Sequence, residues 1–212
     1  MIKQYVKLII LSVGLAFASL AIAANNSSNI AANNLIKIFN KTNTIKSNFK
    51  QIVNDSSGQI IATSTGTMII QRPNRFRWDT QTPMQQLAIA DGQQIWLYQP
   101  DLEQVTISKM SHELGQTPLA ILSGSTTSLQ QNFVIEQTNP NEFILTARKN
   151  AVPFHTVILT FDKQERLTQM QLKDELGQTT VLYFTDLKWN PLVAKSSFTF
   201  VVPKGVDVIR NS

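Results

Sequence analysis

Gln86-Leu87-Ala88-Ile89-Ala90-Asp91-Gly92-Gln93-Gln94-Ile95-Trp96-Leu97-Tyr98 holds two short apolar runs around an Asp-Gly pair. Both turn positions tolerate positive φ, so the segment reads as a β-hairpin. The same grammar extends in both directions. Upstream, Ile45 to Val53 alternates Ile45, Ser47, Phe49, Gln51, Val53. Asp55-Ser56-Ser57-Gly58 turns the chain, Thr65 to Gln71 follows, then Phe76 to Trp78. Downstream, Gln104 to Lys109, Asn132 to Gln137, Phe143 to Arg148, His155 to Phe161, Leu167 to Lys173, Thr180 to Leu187 and Ser197 to Val202 read as strands. Short strands at regular spacing predict an all-β sandwich or barrel, about eleven strands in a meander.

Two segments break the pattern. Ala31, Leu35, Ile38 and Phe39 fall at helical spacing, so a helix capped by Ser28 or Asn29 opens the folded part. Thr117-Pro118-Leu119 starts a short helix through Leu122 that ends at Gly124, with proline at its first position. Ile95 to Tyr98, Phe133 to Ile135 and Met68 to Ile70 are apolar on both faces. A sheet covering one core should alternate apolar with polar. Two accounts stand: helices on the second face, or an apolar pocket that takes a ligand.

The leader fixes the compartment. Lys3 and Lys7 precede the uncharged run Leu8 to Ala21, and Ala21-Ile22-Ala23 is a small-residue cleavage site. The run is shorter than the roughly 20 residues that span a bilayer. Cleavage after Ala23 leaves 212 less 23, or 189 residues, as a single domain over 24–212. The chain has no cysteine, which excludes a thiolate nucleophile, a cysteine metal site and an N-terminal lipidated cysteine. Of the net charge of +5, two units belong to Lys3 and Lys7. The remaining basic residues are scattered, so no nucleic-acid footprint forms.

Chemistry is scarce. His112 and His155 have no clustered partners, so no metal site is expected. No G-x-S-x-G elbow or glycine-rich phosphate loop occurs, and Asp174-Glu175 lies in a turn. The sequence points to a binding protein without a cofactor. Its most informative stretch is Gln71-Arg72-Pro73-Asn74-Arg75-Phe76-Arg77-Trp78-Asp79, with Phe76 and Trp78 on one strand face. The plainer reading is an amphipathic strand with two core aromatics. The functional one has Arg72 holding a helix across the mouth of an apolar cavity, its forked donors meeting free helix carbonyls.

Several strings, in order, resemble the LolA family of periplasmic outer-membrane lipoprotein carriers. They are Phe49-Lys50-Gln51, Gly66-Thr67-Met68, Arg72-Pro73-Asn74-Arg75-Phe76-Arg77-Trp78, Ala90-Asp91-Gly92 through Trp96-Leu97-Tyr98-Gln99-Pro100, Thr117-Pro118-Leu119, and Phe198 to Asp207. The resemblance implies an incomplete, strongly curved antiparallel β-barrel with a helical lid, enclosing an apolar cavity for lipoprotein acyl chains. It implies a monomer that takes cargo from an inner-membrane ABC transporter to an outer-membrane receptor lipoprotein. By resemblance, Arg72 is the lid latch and Phe76 the rim phenylalanine, and the lid helices are Ala31 to Phe39 and Leu119 to Leu122. The expected cargo-binding set is Phe76, Trp78, Phe49, Met68, Ile70, Trp96, Tyr98, Leu35, Phe39, Leu119 and Leu122. Arg75 and Asp79 receive no role. A receptor would need the lipidated cysteine that this chain lacks. Two other classes stay open at this point: an exported β-barrel that senses or binds lipid without shuttling it, and an exported hydrolase.

Overall fold

The computed structural model describes residues 16–110, 118–148 and 154–211; within these, the side chains of 16–27 and 118–120 are outside the description. Helix α1 (Ala16–Asn40) leads into β1 (Thr44–Asn54), β2 (Ile60–Gln71), β3 (Arg75–Thr82), β4 (Gln86–Asp91), β5 (Gln94–Gln99) and β6 (Gln104–Lys109). Helices α2 (Pro118–Ser123) and α3 (Thr126–Asn132) follow. The chain then forms β7 (Phe133–Asn139), β8 (Glu142–Ala147), β9 (Phe154–Phe161), β10 (Leu167–Asp174), β11 (Thr179–Trp189) and β12 (Asp207–Asn211).

These strands form one 12-stranded sheet in the order β12-β6-β5-β4-β3-β2-β1-β11-β10-β9-β8-β7. Two meanders, β1–β6 and β7–β11, are joined by the antiparallel pair β1–β11. The expected single meander is therefore corrected. Ile45 to Asn54 finds a partner on each side, and the second partner comes from the far end of the chain. A long-range pairing of that kind leaves no local turn signal.

Three hairpins share one turn. In β1–β2 the Asp55 carboxylate accepts the amides of Ser57 and Gln59, at 2.9 and 3.0 Å. Asp162 does the same for Gln164 and Arg166, and Asp174 for Leu176 and Gln178. The fourth turn residue lies at positive φ each time: Gly58 at 87°, Glu165 at 61° and Gly177 at 83°. A short carboxylate that closes the turn onto its own backbone makes these tips local decisions.

The helix pattern differs from the sequence reading in two places. Ser28 does not cap α1, which continues upstream as far as Ala16; its hydroxyl donates to the Ile135 carbonyl at 3.1 Å. Helix α3 occupies what reads as loop, and Ser125 caps it by accepting the Ser128 amide.

The segment Ser197 to Val202 is not a strand. A 3-10 turn spans Lys195–Phe198, and the last strand comes later, at Asp207–Asn211, parallel to β6. This segment answers the question of the second apolar face. Phe198 is buried, and the Phe200 ring lies 5.5 Å from that of Tyr98. Lateral pairs run Leu87–Tyr98–Val105 and Ile89–Trp96–Ile107. These side chains form a small second core on the outer face of β4–β6, under the C-terminal segment.

Candidate functional site

The inner face of the curled sheet is apolar from β7 round to β5. Across β1–β5 the register aligns Ile45, Ile70, Phe76, Ala90 and Ile95 in one row, and Ser47, Met68, Trp78, Ala88 and Leu97 in the next. On the other limb, Ile135, Leu145, Val157 and Leu172 form a row, and Phe143, Leu159, Met170 and Leu182 another. Both limbs belong to one continuous cluster. Phe49 bridges them: it pairs with Phe184 on one side and Gly66 on the other, and its ring stacks on Trp78 at 3.9 Å and 22°. Gly66 has to be glycine. A Cβ there would lie 2.0 Å from the Asp79 carbonyl oxygen and 2.7 Å from Phe49 Cζ.

Helices α1 and α2 lie over this interior. Ala31, Leu35, Ile38 and Phe39 are buried as their spacing predicts, together with Ala32. Ile121 and Leu122 of α2 are buried as well. Arg72, in the turn after β2, meets the C-terminal ends of both helices. Its Nε donates to the Leu122 carbonyl at 2.8 Å, and its Nη1 donates to the carbonyls of Phe39 at 2.8 Å and Thr42 at 3.1 Å. The guanidinium carbon also sits 4.0 Å from the centre of the Phe39 ring. Two backbone bonds flank it: Arg72 N–H to the Asn43 carbonyl at 2.9 Å, and Asn74 N–H to the Ser123 carbonyl at 2.8 Å.

The electrostatics fit this placement. The last carbonyls of a helix lack intrahelical partners and form its negative pole, so a cation there is favourable. Burial lowers the Arg72 pKa to about 10, which still leaves it fully charged at neutral pH. Its charge is answered by carbonyl dipoles, and no carboxylate forms an ion pair with it among the described residues. Each hydrogen bond from a charged donor makes a net contribution of about 1.5–3 kcal/mol. The tie is therefore strong enough to hold two helices and small beside the apolar contact beneath it.

The residues read as one site from sequence divide into groups. Leu35, Phe39, Phe49, Met68, Ile70, Phe76, Trp78 and Leu122 converge on the interior. Phe76 is 1% exposed and so lies deep, away from any open rim in this arrangement. Trp96 and Tyr98 are corrected: they share a face with Ile89 and Leu87, outside the curl, because Ile95 and Leu97 take the inward positions of β5. Leu119 lies on α2, but its side chain is outside the described part, as is His112 with its loop. Arg77 and Asp79 form a 3.7 Å ion pair on the outer face, and Arg75 donates to the Gln71 side chain. The sequence reading missed the second limb of the interior, with Phe143, Phe161 and Phe184. Their signal was weak, because Ile144 and Ile158 interrupt the alternation of β8 and β9 and β11 runs Val181-Leu182-Tyr183-Phe184 without a polar break. Among the described residues no three potential ligands cluster for a metal, and no helix is long and apolar enough to cross a membrane.

Comparison with known proteins agrees with this architecture. The family model for "Outer membrane lipoprotein carrier protein LolA" matches residues 40–201. An outer-membrane lipoprotein carrier protein of Hahella chejuensis is 37% identical over 203 residues, covering 93% of this chain and 97% of its own. One from Pseudomonas aeruginosa is 38% identical over 198 residues, covering 92% and 95%. Among solved structures, a LolA superfamily protein of Nitrosomonas europaea superposes with a TM-score of 0.51 at 14% identity, over 82% of this chain and 98% of that one. That likeness is one of fold. With a family model spanning most of the folded part and full-length relatives above one-third identity, this chain belongs to the LolA family of outer-membrane lipoprotein carrier proteins.

Proposed function

We propose that this protein is a periplasmic, non-enzymatic chaperone that shelters lipoprotein acyl chains in its curled sheet and releases them when the lid opens. The observation that carries the reading is the Arg72 tie, which joins the ends of α1 and α2 above an apolar interior interrupted at Ser47. Each exposed methylene of an acyl chain costs about 0.8 kcal/mol in water, so a lipidated protein needs cover between membranes. The cover must also give way. Lifting it breaks three hydrogen bonds to backbone carbonyls and uncovers Leu35, Ile38, Phe39, Ile121 and Leu122, so the acyl chains must replace the apolar contact that the lid gives up. The export leader ending at Ala23 and the absence of cysteine fit a shuttle that leaves the inner membrane and is not itself anchored. In this reading an inner-membrane ABC transporter loads a single copy of the chain and an outer-membrane receptor lipoprotein unloads it.

The test is release of a radiolabelled lipoprotein from inner-membrane vesicles by the purified protein. Wild type should carry the lipoprotein into the soluble fraction. Arg72→Leu should change loading or onward transfer by an order of magnitude while shifting the melting temperature by only a few degrees. Failure of the wild-type protein to solubilise any lipoprotein would overturn the reading. Normal transfer by a strongly destabilised Arg72→Leu would reduce Arg72 to a structural residue.

A further inference from the structure

Strand β2 outruns its neighbour. It has 12 residues where β3 has 8, and its pairing with β3 ends at Thr65 opposite Thr82. There the two hydroxyls meet at 2.6 Å and Pro83 follows, without an N–H to continue the ladder. Pairing with β1 goes on to Ile60 opposite Asn54. Residues Ile60 to Ser64 are thus hydrogen-bonded on one edge and unpaired on the other among the described residues. Ile60 is 58% exposed and Ile61 55%.

Exposed edges are usually blunted by a charge, a proline or a bulge. Ile60-Ile61-Ala62-Thr63-Ser64 carries neither charge nor proline, and its one register shift falls at the outer end, beside Asn54. The segment is about 16 Å long at the usual strand rise. Ala62 and Ser64 lie opposite Val53 and Gln51 on the inward side. Both are small, leaving room there for larger side chains from a neighbour.

We propose that Ile60–Ser64 is a β-addition site for an extended segment of a partner protein, uncharged, with large apolar residues at alternate positions. A row of free amides and carbonyls calls for another backbone, which a lipid tail cannot supply. A second copy fits poorly. In full antiparallel pairing of two such edges, the Asp55–Gln59 turn of each copy would run into the Thr82–Pro83 turn of the other. The surroundings also select for charge. Asp55 stands in the adjoining turn, and the turn holding Asp174 and Glu175 packs next to it, where a Cβ on Gly177 would lie 3.3 Å from Ser56. A basic residue flanking the apolar segment therefore matches this end of the molecule. The inference is independent of what the interior carries.

The test uses the full chain and a synthetic peptide, acetyl-Lys-Val-Thr-Val-Thr-Val-Lys-amide, with amide exchange read residue by residue. At millimolar peptide, exchange should slow at least fivefold at those alternate residues of 60–64 whose N–H faces the free edge. A version with proline at the central position should have no effect. Ala62→Lys, with an unchanged melting temperature, should weaken binding at least tenfold. Unchanged exchange at 60–64, equal protection by the proline peptide, or protection only along β12 would each overturn the proposal. So would a sedimenting dimer that protects 60–64 without peptide, which would make a second copy the occupant.

Discussion

Arg72 shows how much one side chain can join when its partners are backbone atoms. Its carbonyl acceptors come from two helices and the following loop, so no one neighbouring residue specifies it. Lysine cannot present the same fork. Arg72→Lys should speed amide exchange at the end of α2 nearly as much as Arg72→Leu while leaving the strands protected. Equal protection in Arg72→Lys would show that charge alone suffices. Phe76 invites a different substitution. A phenylalanine at an open rim, as the resemblance implies, would tolerate Phe76→Glu without loss of the fold; the structure places that carboxylate in the core. A buried charge is costly and becomes hydrated only if the lid lifts. Phe76→Glu should therefore retain its far-UV strand signal but lose protection in α1 and α2, and a globally unfolded spectrum would mark Phe76 as ordinary core. Gly66 is more constrained than either. Gly66→Ala must displace Phe49 or the β3 backbone and should lower stability by about 1–3 kcal/mol in chemical denaturation.

Among elements, the hairpin tips are the most autonomous. Gly58→Ala and Gly177→Ala each put a Cβ on a left-handed residue, and each should cost about 1 kcal/mol. The turn carboxylates add a pH dependence. The Ser57 hydroxyl, then the Gln59 amide, hold the Asp55 carboxyl below its usual range. For Asp162, burial pushes upward, but hydrogen bonds from Arg166 and Gln164 outweigh it and the net shift is downward. A carboxyl lowered in the folded state stabilises above its unfolded pKa, and that contribution is lost as pH falls through the folded value. Thermal midpoints of wild type and Asp162→Asn should differ at pH 6 and begin to converge only as the pH falls below about 4, toward the lowered folded value. A gap independent of pH would assign the effect to the turn's shape alone.

At the scale of the whole molecule, the sheet has two apolar faces with different covers. Helices close the inner face, and the C-terminal segment closes the outer face at β3–β6. Phe198, 2% exposed, anchors that segment. Phe198→Ala should cost about 3 kcal/mol and loosen the cover over Tyr98 and Trp96, seen as a red shift in tryptophan emission, with the Arg72 network unchanged. The two covers also explain the misplacement of Trp96 and Tyr98. Both aromatics sit on an apolar strand whose two faces look alike in sequence, and only the pairing of β5 with β4 shows which face looks inward.

The amino-acid sequence by itself determined what depends on near neighbours. Turn carboxylates, the helical stripe of Ala31 to Phe39, the Pro118 helix start and the alternation of the strands act over a few residues and can be read there. Arg72 was legible only as a candidate, a forked donor in a turn beside Phe76 and Trp78, and its assignment as the latch came from the family resemblance. Other features rest on contacts between residues a hundred or more positions apart. The β1–β11 pairing, the parallel β12 and the outer cover from Phe198 are of this kind, whereas the free edge at Ile60 to Ser64 comes from the offset of the β2–β3 hairpin, where Thr65 lies opposite Thr82. Apart from proline, every residue offers the same backbone donor and acceptor, so which strands pair leaves little mark on side-chain identity. Which strand lies beside which, and therefore which face becomes interior, was decided only by the tertiary structure.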